Sequence, residues 1–217
     1  MLPFTREQFF DVFTAYNQAI WPVQVALLAL GLAMLGALRL QRQPTWVGWA
    51  LGGLWVWTGI AYHAVFFAPI NPVAYGFAGL FLVQGGLIVR ASRLGTLRLG
   101  IPRDMPSFVV GAALLSYALV GYPLIAIAAG QSYPALPTFG VPCPTVIFTF
   151  GVLAWSARRA WSMLVIPIVW ALIGISAATQ LGVPEDWGLP VAAAAVVLLR
   201  LRHRGAPSGD ALALRTR

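Results

Sequence analysis

The chain has 217 residues, of which 59% are hydrophobic and only 9% charged, with a mean hydropathy of +0.80. A soluble domain of this size carries roughly 25% charged residues to keep its surface wet. So little charge excludes an ordinary cytosolic enzyme, a disordered chain and a disulfide-stapled secreted module, and leaves an integral membrane protein covered by lipid. The basic residues number 14 against 6 acids, every basic one is Arg, and the formal charge is +8. These arginines stand in short clusters between apolar runs, which is the pattern of topology signals and not of nucleic-acid binding. The one cysteine, Cys143, can form no intramolecular disulfide.

In chain order, residues 1–18 predict a short amphipathic helix on the outer membrane surface. Thr5-Arg6-Glu7-Gln8 reads as a capping box, and Phe9, Phe10 and Phe13 then fall on one side of the helix. A basic leader and a small-residue cleavage site are both missing, so this stretch is not expected to be a cleaved signal peptide. Crossing the hydrocarbon takes ~20 apolar residues at roughly 1.5 Å each. Within 19–202, seven segments approach that length: Ala19–Leu38, Thr45–Phe67, Pro72–Val89, Ser107–Ala129, Phe139–Ala157, Met163–Leu181 and Trp187–Leu199. The seventh is short and is expected to tilt, to tuck against its neighbours, or to lengthen by snorkelling of Arg200 and Arg202. Residues 203–217 read as a disordered cytoplasmic tail.

The arginines fix the expected orientation. Arg6 alone precedes the first span, and the other 13 (14 − 1) follow the first, third, fifth and seventh. That bias puts the N-terminus outside and the C-terminus in the cytoplasm of a multi-pass bacterial inner-membrane protein. Trp46, Trp49, Trp155 and Trp161 then mark the inner boundary, and Trp21 and Trp187 the outer one. Gly48-Trp-Ala-Leu-Gly52 spaces two small residues by four, which permits close helix packing or a homo-oligomer.

With this orientation the distinctive polar residues collect on the extracytoplasmic half. His63 lies 18 residues, roughly 27 Å, beyond Thr45. Asn71 opens the third span, and Glu185-Asp186 open the seventh, where acids also suit a helix N-terminus. In Pro142-Cys143-Pro144-Thr145 two prolines predict a backbone break or helix start, with Pro144 at the first helical position. A thiol there is favoured as thiolate by the helix dipole and is a candidate metal ligand or nucleophile, or simply a buried small side chain. His63, Cys143 and Asp186 would together make a mixed N/S/O set for a soft or borderline metal ion such as zinc or copper. Tyr62, Asn71 and Thr145 are the further candidate ligand-binding groups, and Gln84 is the one polar group on a deeper route.

The proline-bracketed cysteine resembles that of heavy-metal-pumping ATPases over this short stretch alone. Retinal is excluded, because a retinal protein needs a lysine that this chain lacks. Leu2-Pro3-Phe4-Thr5 to Tyr16-Asn17, Trp57–His63 through Phe67-Ala68-Pro69-Ile70-Asn71-Pro72, Thr138–Thr145, and Ala177 through Asp186 resemble a bacterial family of integral membrane proteins, domain of unknown function 6064. The resemblance runs the full length and implies no activity. The expected function is therefore an outer-side site that binds and transports a small solute or soft metal ion. Two alternatives stand beside it. One is an enzyme with Cys143 as nucleophile and His63 as base; the other is a receptor or lipid-binding scaffold with an aromatic pocket around Tyr62, Phe66, Phe67 and Trp187.

Overall fold

Thr5 starts the first helix as expected. Its hydroxyl accepts from the Gln8 N–H at 3.2 Å, and its own N–H donates to the Gln8 side chain at 2.8 Å. In the computed structural model, which describes residues 2–40, 44–156 and 161–205, the helices are α1 (Arg6–Ile20), α2 (Val23–Leu40), α3 (Thr45–Phe67), α4 (Ala74–Arg93), α5 (Met105–Ala128), α6 (Pro142–Ala154), α7 (Ser162–Gln180) and α8 (Gly188–Gly205). A short 3-10 turn, Pro184–Trp187, precedes α8. α8 continues through the first three residues expected to begin the tail; the rest of that tail, 206–217, lies outside the described residues.

Five helices, α2 to α5 and α7, are long and apolar enough to cross a membrane. The two remaining expected spans differ from them. α6 has 13 residues, about 20 Å by rise, and nearly every one of its side chains is buried in protein. The preceding Gly140 has φ +104 and breaks the stretch counted as the fifth span; a Cβ there would meet Leu27 Cδ1 at 2.6 Å. α8 does not lengthen by snorkelling at Arg200. That side chain is buried and donates to the Leu153 carbonyl at the end of α6, where a cation suits the helix dipole.

Packing settles three further expectations. The Gly48/Gly52 stripe serves α3 against α4 within one chain: a Cβ on Gly52 would meet Val89 Cγ2 at 2.6 Å, and one on Gly85 would meet the Gly52 carbonyl at 2.8 Å. Trp155 is not a boundary residue but buried, stacked on Phe108 at 5.8 Å and donating to its carbonyl at 3.2 Å. Trp21 and Trp187 are exposed, as boundary residues would be. Finally, α1 turns its apolar face to protein: Phe9 packs on Phe67, and Phe13 and Tyr16 on Tyr62. Phe9, Val12, Phe13, Tyr16 and Ile20 repeat at helical spacing, so one continuous stripe is buried on α3.

Candidate functional site

The site begins where two helices widen. From Thr58 to Phe67, α3 takes π-type turns, in which the Ala68 N–H reaches the His63 carbonyl five residues back at 2.9 Å. α5 does the same over Tyr117–Gly121 and delivers Tyr122. Such turns are rare and recur at functional sites because the extra residue re-aims the side chains. In α3 they leave Tyr62, His63 and Phe67 all buried.

His63 stands in a shell of rings. Phe81 lies 4.7 Å from it between centroids, Trp170 5.0 Å, Tyr62 5.4 Å, Phe77 5.8 Å and Phe67 6.3 Å. The residue is 0% exposed, and neither ring nitrogen has a hydrogen-bond partner among the described residues. Leaving a buried donor or acceptor unmatched costs about 1–3 kcal/mol per group.

Cys143 is the second residue of α6. Val141, in extended conformation, is the N-cap, so Pro142 and not Pro144 is the first helical residue. Both prolines fall in the first turn, where a missing N–H costs no helix bond. The loop before them is held by a chain of bonds: Trp57 Nε1 donates to the Tyr16 hydroxyl at 2.8 Å, which donates to the Gly140 carbonyl at 3.1 Å. Asn17 adds bonds to the Pro134 and Leu136 carbonyls at 2.6 and 2.8 Å.

Asp186 sits in the 3-10 turn, 1% exposed, and accepts from the Tyr122 hydroxyl and from the Cys143 thiol. Cys143 and Asp186 therefore meet, while Trp170 packs on His63, lines the same cavity as Cys143, and has no hydrogen-bond partner for its indole N–H among the described residues. The three do not form a metal-ligand set: among the described residues no group of three His, Cys, Asp or Glu side chains is placed to hold a metal ion. The reason is local, since Asp186 is committed to Tyr122 and Cys143 while rings enclose the imidazole.

A cavity of about 120 Å³ joins the two groups. His63, Tyr62, Asn71, Cys143 and Trp170 line it, together with phenylalanines from α1, α3 and α4. Of the other candidates, Asn71 gives its side-chain oxygen to the Val73 N–H at 3.3 Å. Thr145 is buried two residues further along α6, away from the cavity, and its hydroxyl has no partner among the described residues. Gln84 marks no route inward from the cavity. It is 0% exposed, donates to the Met163 carbonyl at 3.0 Å and does not line the cavity.

α1 closes one side of the cavity with Phe9 and Phe13, and Arg6 Nε donates to the Leu181 carbonyl at 2.8 Å, joining α1 to the end of α7. Nearby, both Glu185 carboxylate oxygens are buried without a partner. Burial pushes this carboxyl up to about 7; the nearby N–H of its own backbone and the Arg6 charge oppose that, and Asp186 adds to it.

Trp170, Tyr122 and Phe77 were not among the candidates. Trp170 did carry a signal: it stands mid-helix, eight residues from Ser162, whereas tryptophans of a membrane helix favour its ends. Tyr122 carried none, because π-turns have no hydropathy signature.

The chain belongs to the Family of unknown function (DUF6064), whose model matches residues 6–208. No curated protein and no solved structure matches the chain.

Proposed function

We propose that the protein binds a small solute in the His63–Cys143 cavity, from the extracytoplasmic side of a bacterial inner membrane that it crosses with its N-terminus outside. Seven crossings fit the arginine pattern if α6 and α8 count with the five long helices. One observation carries the reading: an imidazole with both nitrogens unmatched borders a cavity large enough for a ligand. A group kept at that cost, and at that place, is a group a ligand completes. Onward transport belongs to the same proposal, with the cavity as the first stop on the path.

The enzyme alternative is less well supported. A Cys–His pair needs the imidazole to take the thiol proton, and here the thiol's partner is Asp186. The test is mass spectrometry of the full chain extracted in lipid nanodiscs, read for a small molecule carried through purification. The wild type should carry one and His63→Ala should lose it. Equal retention by both would end the reading, as would a wild type that carries none and binds none from a mixed solute library.

A further inference from the structure

We infer that the ligand of this cavity is a neutral, single-ring aromatic molecule bearing one hydroxyl, a simple phenol; the inference rests on the binding reading above. Size is the first argument. The cavity holds about 120 Å³, and a ~150 Å³ apolar cavity in another protein binds benzene, so one ring with a small substituent is the matching scale.

Charge is the second argument. No charged side chain lines the cavity. A carboxylate ligand would meet no Arg or Lys. An ammonium would meet rings but no carboxylate, because Asp186 stands behind Cys143 and is taken by it and by Tyr122. Taking an ion out of water without a counter-charge costs far more than ring contacts return. The ligand is therefore neutral.

The polar complement is the third. Asn71 gives its oxygen to Val73, the Ser176 hydroxyl donates to the Ile173 carbonyl at 2.6 Å, and the thiol is held by Asp186. The imidazole is left with both nitrogens unmatched, and beside it the Trp170 indole N–H is an unmatched donor that a hydroxyl oxygen would accept from. A neutral imidazole offers one lone pair and one N–H, and a phenolic hydroxyl is a strong donor to that lone pair. The ring attached to it would then meet Phe77 and Trp170 at the edge-to-face spacings these rings already keep with His63.

The test titrates 4-fluorophenol, 4-fluorotoluene, 4-fluorobenzaldehyde and 4-fluorobenzylamine into the full chain in nanodiscs, followed by fluorine NMR. The phenol should bind at least about tenfold tighter than the toluene, the difference one buried hydrogen bond makes. His63→Leu should bring the two to parity, and His63→Gln, which keeps a hydrogen-bonding side chain, should restore part of the preference. Equal binding of phenol and toluene, tighter binding of the aldehyde or the amine, or a preference that survives in His63→Leu would overturn the phenol assignment while leaving the cavity as a binding site. Ala177→Phe, which fills the cavity from α7, separates the two claims. If it binds every probe as the wild type does, or if no probe binds the wild type, the cavity reading itself fails.

Discussion

The cavity has two walls built on opposite principles. On one side Asp186, Tyr122 and Cys143 bind one another, so a carboxylate drawn from water is matched by two donors. On the other, His63 is just as deeply buried and has no partner for either nitrogen. Matched polar groups hold a structure together; an unmatched one beside a cavity is held in reserve. Substitutions should therefore act with opposite sign on the two walls. Asp186→Ala should be the most damaging, because it leaves the Tyr122 hydroxyl and the thiol buried without an acceptor. A loss of about 3 kcal/mol is expected, read as a fall in the thermal unfolding midpoint in detergent. A midpoint within a degree of the wild type would show that this wall is not structural.

His63→Leu should move the other way. Removing two unmatched nitrogens while keeping an apolar side chain of similar bulk should stabilise the unliganded protein by about 1–2 kcal/mol. If His63→Leu unfolds earlier than the wild type, the imidazole has a structural partner and the contrast between the walls collapses.

Thr5→Ala addresses the helix that covers both walls. Losing the capping box should cost about 1 kcal/mol. Because α1 carries Phe9 and Phe13 into the cavity, ligand affinity should fall along with stability. A drop in stability with unchanged affinity would detach α1 from the site.

How much of this was legible in the sequence depended on how local each cause was. The capping box at Thr5 and a helix start within the Pro142-Cys143-Pro144 bracket were readable, because each is fixed by a few adjacent residues, although the first helical residue is Pro142 and not the expected Pro144. So was the gathering of His63, Asn71 and Cys143 at one depth, since depth follows from counting along a helix. What could not be read was which way side chains turn after a π-turn, since one extra residue per turn rotates everything beyond it. That rotation put rings, Trp170 and Phe81 foremost, around His63, so a plausible metal trio became two separate environments. Hydropathy was blind for a related reason: α6 is as apolar as the long helices, yet it has only 13 residues and nearly all of them are buried in protein.

The last test concerns a third kind of buried group, next to Asp186. Glu185 is enclosed like Asp186 but unmatched like His63, and burial raises its carboxyl from 4.5 to about 7. Because the folded state holds this proton more tightly than the unfolded one, the sign is fixed. Stability from this group is complete below about pH 4.5, is lost as the unfolded chain ionises between 4.5 and 7, and changes no further above 7. Asp186 and other titrating groups add slopes of their own, so the quantity to read is the difference in unfolding midpoint between the wild type and Glu185→Gln. The two curves should run together at pH 4 and separate toward pH 7, with the glutamine variant the more stable at the upper end. Parallel curves from pH 4 to 8 would mean that Arg6, on the covering helix, already neutralises the carboxylate, and that Glu185 belongs with the matched wall.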